Sequence, residues 1–293
     1  MCTDRGPGQR RTGAVFVREV QFLHMKIALL DSGIGLLPAA AAVRRARPDA
    51  DLVLSSDPDG LPWGPRDGAD IAARARDCAR AAAEHRPAAL IVACNTASVH
   101  ALPALRAELE PGLPVIGTVP AVKPAAAAAV RTGGRIAIWA TPATTGSPYQ
   151  RRLIEEFGNG ADITGVPCHG LADAVESGSE TLIAEAVRAA AERTPAGVET
   201  VVLGCTHYEL VGSRIQEALR GTRAEGPALY GSAAAVCAQA LRRAGVSPEP
   251  EAAPTGELTV LHSGRTAALP DAAFSYPEGR LLAAGNTASA ARA

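Results

Sequence analysis

Short apolar runs alternate along the chain with longer segments rich in Ala, Arg and Glu. The apolar runs are KIALL, DLVLS, AALIVA, LPVIG, RIAIWA, DITGV, ETVVLG and ELTVL. They have the length of strands, whereas residues 71–85 and 179–192 have the helix-favouring composition and polar faces of surface helices. Strands that alternate with helices predict an α/β fold with a parallel sheet covered by helices.

The polar turns that follow four of these strands form a weak internal repeat. Asp31 ends KIALL and Cys94 follows AALIVA, while Thr141 follows RIAIWA and Cys205 follows ETVVLG at nearly the same interval. Ligands bind at the carboxyl ends of parallel strands. Two similar halves that face each other would therefore bring Cys94 and Cys205 together across a cleft.

The two ends of the chain lack this alternation. Residues 1–24 are basic and Gly-rich without the apolar core of a secretory signal, and Met25 directly precedes the first strand. We therefore expect residues 1–24 to be a disordered leader or an artefact of gene calling. Beyond about Ser263 the pattern fades into small residues, which predicts a flexible tail over 263–293.

Composition and charge exclude several classes of function. The 293 residues are 47% hydrophobic and can bury a full core. The formal net charge is -1 and the charges are interspersed, which disfavours nucleic acid and anionic membranes as partners. Six cysteines without a C-x-x-C pair are typical of reduced thiols. We expect a cytoplasmic protein that stays in water.

Cys94 and Cys205 are the strongest candidates for chemistry. A cysteine between a strand and a helix lies where backbone N–H groups and the helix dipole favour the thiolate. Two thiols that flank a carbon atom can remove a proton from one face and return one to the other. For any single cysteine, packing in the core is the alternative, and we favour it for Cys168. A disulfide between Cys94 and Cys205 is a further alternative.

Other chemistries have weaker support in the sequence. Pyridoxal phosphate needs a Schiff-base lysine, and Lys26 and Lys123 both lack a signature for that cofactor. Cys168 and His207 belong to pairs of soft metal ligands, but the regular spacing of a zinc site is absent. No G-x-S-x-G elbow indicates a serine hydrolase. We predict neither a cofactor nor a metal.

Seven motifs together resemble the glutamate racemase family of the aspartate/glutamate racemase superfamily. They occur in family order over residues 26–229, and ACNTAS and GCTHY are the most specific pair. The motifs are LLDSGIG, LPWGPR, ACNTAS, PVIGTVPAVKPA, ATPATTGSPY, VPCHGLADAVESG and VLGCTHYEL. The resemblance implies interconversion of L- and D-glutamate, without cofactor or metal, to supply D-glutamate for bacterial peptidoglycan, and so for the cell wall and cell shape.

The resemblance also implies an architecture. It consists of two pseudo-symmetric α/β domains with mainly parallel sheets and the active site in the cleft between them. The first domain would comprise residues 26–117 plus 212–262, and the second residues 118–211. Family members commonly form homodimers, so a homodimer is a further expectation.

The site residues follow from the family motifs position by position. Cys94 and Cys205 match the two catalytic thiols, of which the first abstracts from the D-isomer and the second from the L-isomer. Asp31 and His207 match residues that assist these proton transfers, and Glu176 matches an acid without an assigned role. The substrate-binding residues implied are Asp31, Ser32, Trp63, Gly64, Asn95, Thr96, Thr206 and His207.

Three residues depart from the family pattern. Trp63 stands where the family has a Tyr beside the substrate. Leu36 directly follows DSGIG, where the family has a second glycine, and Glu209 directly follows GCTHY, where a Pro is common. These departures leave open a racemase or epimerase of the same superfamily that acts on aspartate or another amino acid in secondary metabolism. A non-catalytic interaction protein is the weaker alternative.

Overall fold

Two sheets with helices on their faces form the framework of the chain. The computed structural model describes residues 25–221 and 226–290, so the predicted leader, residues 1–24, lies outside the described residues. The prediction of an α/β fold with mainly parallel sheets is confirmed. None of the helices in the described ranges combines the length and the apolar character that a membrane crossing requires.

The first part of the chain alternates strands with helices. Its strands are β1 (Lys26–Asp31), β2 (Asp51–Ser56), β3 (Ala89–Val92) and β4 (Val115–Gly117). Its helices are α1 (Leu37–Ala46), α2 (Gly68–Ala83), α3 (Asn95–His100) and α4 (Leu102–Leu109). A short 3-10 helix, Ile34–Leu36, connects β1 to α1. The central strands are buried on both faces, which explains why they appear in the sequence as continuous apolar runs.

The middle of the chain builds the second sheet in the same way. Its strands are β5 (Arg135–Ala140), β6 (Ile163–Pro167), β7 (Val198–Leu203) and β8 (Ala228–Tyr230). Its helices are α5 (Val122–Thr132), α6 (Pro148–Phe157), α7 (Leu171–Ser177), α8 (Glu180–Arg193) and α9 (Gly212–Leu219). A 3-10 helix, Thr206–Val211, follows β7 and precedes α9.

The chain then returns to the first sheet. This last part comprises α10 (Ala233–Arg243), β9 (Leu258–His262), β10 (Arg265–Ala267) and α11 (Pro277–Ala290). The first sheet has the order β10-β9-β2-β1-β3-β4 and the second has the order β6-β5-β7-β8. All neighbours are parallel except β9 and β10. The turns after β1, β3, β5 and β7 therefore lie at the carboxyl ends of central strands.

The structure corrects two of the predicted boundaries. The second sheet does not end near Val211, because β8 pairs with β7 and α9 packs against α8. The predicted flexible tail contains β10, a 3-10 helix and α11 instead. Tyr276 in this segment is buried, and its hydroxyl donates a 2.6 Å hydrogen bond to the carbonyl oxygen of Val175. Burial against α1 and α7 orders this segment, which its sequence does not indicate.

Candidate active site

A cavity of about 530 Å³ lies where the carboxyl ends of the two sheets meet. Its walls come from the turns after β1, β3, β5, β6 and β7, together with the loop that follows β2 and the helix α7. Every residue that the sequence analysis selected for the site lines this one cavity. These residues are Asp31, Ser32, Trp63, Gly64, Cys94, Asn95, Thr96, Cys205, Thr206 and His207.

The Cys94 thiol lies beside a buried carboxylate. Cys94 follows β3 directly, is the N-cap residue of α3, and is 6% exposed. Burial raises the pKa of Cys94 well above its ordinary value, and the charge of Asp31 raises it further. Both effects favour the protonated form of the Cys94 thiol.

The Asp31 carboxylate accepts three hydrogen bonds on this side of the cavity. Its Oδ1 accepts hydrogen bonds from the backbone N–H of Ser32 at 2.6 Å and from the Ser32 hydroxyl at 3.1 Å. Its Oδ2 accepts from the Thr206 hydroxyl at 3.0 Å. Burial raises the pKa of Asp31 even though the charge of His207 and these hydrogen bonds lower it. The cost of burying the carboxylate is thus only partly offset by its donors.

The Cys205 thiol has a different neighbour, an imidazole that is backed by a carboxylate. Cys205 Sγ lies 3.8 Å from His207 Nδ1, and His207 Nε2 lies 2.8 Å from Glu176 Oε2. Burial lowers the pKa of His207, but contacts with Cys205 and Glu176 and the charge of Asp31 raise it well above its ordinary value. The two thiols therefore have opposite electrostatic surroundings.

Three hydrogen bonds cross from one half of the molecule to the other at this site. Asn95 Nδ2 donates to the carbonyl oxygen of Gly204 at 3.0 Å. The backbone N–H of Ile34 donates to Glu176 Oε2 at 2.9 Å. Together with the bond from Thr206 to Asp31, they hold the turns of the two cysteines in a fixed relation.

Three of the predicted substrate-binding residues, Trp63, Gly64 and Asn95, have different local surroundings. The Trp63 indole is 1% exposed and its N–H donates to Asp57 Oδ2 at 3.0 Å, so the ring belongs to the core of the first half. Gly64 instead presents backbone to open space, because an added Cβ atom would have no neighbour within 4 Å. Asn95 uses its Nδ2 internally, and its buried Oδ1 has no hydrogen-bond partner among the described residues.

The structure adds residues that the predicted set did not contain. Thr141 and Thr144 line the cavity and their hydroxyls are 3.2 Å apart. The internal repeat could have identified them, because Thr141 occupies the position that corresponds to Asp31. Glu176 had no assigned role, and its contact with His207 depends on how α7 packs. Cys168 also lines the cavity, although its Sγ donates to the carbonyl oxygen of Val166 at 3.5 Å.

The cavity combines two thiols with carboxylates and an imidazole. Among the described residues that line it, none is Lys or Arg. Carboxylate groups of a ligand would therefore bind to N–H groups and hydroxyls, as they do at helix N-termini and in closed sites. Within the described ranges, no group of three or more His, Cys, Asp or Glu residues could hold a metal ion.

The His207–Glu176 contact predicts a pH-dependent stability. We expect Glu176→Gln to lower the free energy of unfolding by about 2 kcal/mol, because a charge-assisted hydrogen bond is lost. The carboxylate has a lowered pKa, despite the opposing effect of burial, and the imidazole a raised one. The stabilisation is therefore complete between the ordinary values of 4.5 and 6.5. It declines as pH falls through the Glu176 pKa or rises through the His207 pKa.

Urea unfolding of both proteins across this range measures the effect. Glu217→Gln is the control, because Glu217 pairs with Arg220 on the surface, where such pairs contribute little. A loss of stability in Glu176→Gln that stays constant at alkaline pH would contradict the assignment of a charged imidazole.

Comparison with known proteins gives one consistent result. A model of the Asp/Glu/hydantoin racemase family matches residues 36–240. A glutamate racemase of Granulibacter bethesdensis is 38% identical over 274 residues, which cover 86% of this chain and 94% of that protein. A glutamate racemase of Pseudomonas putida is 34% identical over 226 residues, covering 75% and 82%.

Solved structures give the same result. The structure of Escherichia coli glutamate racemase with L-glutamate and the activator UDP-MurNAc-Ala has a TM-score of 0.69 and 29% identity. The match covers 86% of this chain and 92% of that chain. Glutamate racemase from Aquifex pyrophilus has a TM-score of 0.61 and 27% identity, with coverage of 88% and 95%.

Proposed function

The chain belongs to the Asp/Glu/hydantoin racemase family, and from that premise we propose that it interconverts L-glutamate and D-glutamate. The observation that carries the proposal is the convergence of Cys94 and Cys205 on one cavity from the two halves of the molecule. The names of its relatives supply the substrate. Each thiol has its own acid/base neighbour, as transfer on two faces of one carbon requires.

The reaction proceeds by one proton transfer on each face of the α-carbon. From L-glutamate, the Cys205 thiolate takes the α-proton, and the electron pair of the broken C–H bond delocalises into the α-carboxylate. The Cys94 thiol then donates its proton to the opposite face of the carbon. The product is D-glutamate, with Cys94 as a thiolate and Cys205 as a thiol, and the reverse reaction uses the same groups in the opposite order.

Each thiol has a neighbour that can take part in its proton transfer. His207, held by Glu176, lies 3.8 Å from Cys205 Sγ. Asp31 and burial keep Cys94 protonated. When Cys94 gives up its proton, the new thiolate faces the Asp31 carboxylate, and the repulsion between the two charges favours return of a proton to Cys94.

The cavity would bind glutamate through its polar groups. The unpartnered Asn95 Oδ1 accepts from the substrate ammonium, and so do the hydroxyl oxygens of Ser32 and Thr206, whose protons go to Asp31. The N–H and hydroxyl groups of Thr96 donate to the carboxylates. Donors placed around the α-carboxylate stabilise the charge that develops there in the transition state. The two sheets would belong to two domains that close on the substrate and exclude water.

The cellular role follows from the reaction. We place the enzyme in the cytoplasm, where D-glutamate is supplied for peptidoglycan synthesis, and we expect a homodimer. A racemase of aspartate or another amino acid is the second candidate. It is favoured by Trp63, whose indole N–H is engaged by Asp57 and therefore offers the cavity no side-chain donor.

The direct test measures optical activity. The purified protein, without added pyridoxal phosphate, is incubated with L-glutamate or D-glutamate and followed by circular dichroism. We expect both signals to decay to zero, because the two enantiomers have equal free energies. Parallel reactions with aspartate and other amino acids test the second candidate. A folded protein that racemises one of these and leaves glutamate unchanged would overturn the proposed substrate.

A further inference from the structure

A half-buried carboxylate outside the cavity connects the turn of the second thiol to the first half of the molecule. Glu209 belongs to the 3-10 helix that also carries Thr206 and His207. Its Oε1 accepts hydrogen bonds from the Ser232 backbone N–H at 2.6 Å and from the Ser232 hydroxyl at 2.9 Å. Both carboxylate oxygens lie 3.3 Å from the backbone nitrogen of Ala233.

The two backbone donors, on Ser232 and Ala233, are N–H groups at the start of α10, where N–H groups have no partner within the helix. Ser232 is the N-cap residue, yet its side chain makes no capping bond within its own helix. Glu209 therefore supplies the cap from another element, and its negative charge suits the positive end of the helix dipole. The fit is close, because a Cβ atom on Gly231 would lie 2.4 Å from Glu209 Oε2.

The helix that Glu209 caps supports the first thiol. Val236, Cys237, Ala240 and Leu241 of α10 are buried, and α10 packs against α1, β3 and β4. Cys94 follows β3, and α1 follows the turn that contains Asp31. The helix α10 thus supports the strand and the helix that position the first catalytic turn, while Glu209 attaches the second turn to it.

We propose that Glu209 is a positioning residue that fixes the Cys205–His207 turn relative to Cys94 through the N-terminus of α10. It touches neither cavity nor substrate, and it acts through the 3-10 helix that it shares with His207. Glu209 stands where the motif that the sequence resembles has a Pro, which has no acceptor side chain. The inference rests on the proposed function for its kinetic consequences, but its structural part can be tested separately.

The experiment compares Glu209→Ala, Glu209→Gln and Ser232→Ala with a matched control, Glu180→Gln. Glu180 is also an acid at a helix N-terminus, where it pairs with Arg214 on the surface. We expect Glu209→Ala to lower kcat about tenfold with KM changed less than about twofold. Glu209→Gln retains an acceptor oxygen and should recover most of the rate. Ser232→Ala keeps the backbone donor and should have the smaller effect.

The isotope effect separates positioning from general stability. With α-deuterated L-glutamate, abstraction by Cys205 should become more rate-limiting in Glu209→Ala, and the primary isotope effect should rise. With α-deuterated D-glutamate, where Cys94 abstracts and Cys205 returns the proton, the isotope effect should not rise and should fall if the slowed return of the proton limits the rate. A loss of stability alone would change the amount of active enzyme without this asymmetry. Unchanged kcat and isotope effects in Glu209→Ala would overturn the proposal.

Hydrogen exchange gives an outcome that does not depend on turnover. The backbone amides of residues 206–211 should exchange at least about tenfold faster in Glu209→Ala, and at the wild-type rate in Glu180→Gln. If the wild-type protein fails to racemise glutamate but this exchange pattern is found, the proposed function fails while the attachment stands. Equal exchange in Glu209→Ala and Glu180→Gln overturns the attachment itself. If Glu209→Ala does not fold, Ser232→Ala, which removes one donor to Glu209, should show the same changes in exchange and isotope effect at smaller size, and wild-type values in Ser232→Ala would then overturn the attachment.

Discussion

Replacing Cys94 or Cys205 with alanine should lower the rate of glutamate racemisation by about 10³-fold, because each thiol is the only proton-transfer group on its face of the α-carbon. Both residues line the same cavity, and their acid/base neighbours, Asp31 and His207, cannot take over their positions. Each variant should fold, because alanine fills most of the volume of a cysteine. Circular dichroism with both enantiomers measures the loss.

The remaining thiol gives a sharper readout than the loss of rate. In deuterated water, Cys94→Ala retains the base that abstracts from the L-isomer, and it should exchange the α-proton of L-glutamate alone. Cys205→Ala should exchange that of D-glutamate alone. Cys78→Ala is the control, since Cys78 is buried outside the cavity. Exchange of the same enantiomer by both variants would contradict the assignment of one thiol to each face.

A single methyl group on Gly35 should abolish most of the activity. A Cβ atom there would lie 2.5 Å from Thr206 Oγ1, 2.6 Å from His207 Nδ1 and 2.7 Å from Asp31 Oδ2. These side chains are buried. Thr206 is hydrogen-bonded to Asp31, and His207 contacts Cys205 and Glu176, so none can move without breaking a contact of the site. We expect kcat to fall by at least about 10²-fold, because shifts of this size misplace the reacting groups.

Gly35→Ala should remain folded while it loses activity. Overpacking of this kind costs about 1–3 kcal/mol, which urea unfolding measures alongside kcat. Gly112→Ala is the matched control, because the added Cβ atom would have its nearest neighbour at 3.6 Å. A variant that keeps kcat within about threefold of the wild-type value would mean that the three side chains do not need their observed arrangement.

The polar residues at strand ends were predictable from sequence because their position follows from chain order alone. A strand in a parallel sheet delivers the residue after it to the carboxyl edge, whatever the surrounding residues are. This holds for Asp31, Cys94, Thr141 and Cys205, and the structure brings them to one cavity. The family resemblance then supplied the roles that geometry alone does not specify.

The elements that were not predicted have little local signal. The strands β8 and β10 have three residues each, which is too short for a hydrophobic period to be recognised. The segment after Ser263 consists largely of small residues, and its order comes from burial of Tyr276 and Leu282 against other elements. Local composition cannot report contacts of this kind, because they join residues that are distant in the chain.

The sequence by itself determined the alternation of strands and helices, the edge at which the polar turns lie and the pair of thiols. Only the tertiary structure decided which groups surround each thiol. Glu176 contacts His207, Asn95 reaches Gly204, Trp63 points to Asp57, and Glu209 caps α10. The physical reason is that periodicity and strand order act within a segment, whereas pKa values and donor geometry depend on atoms that packing brings together.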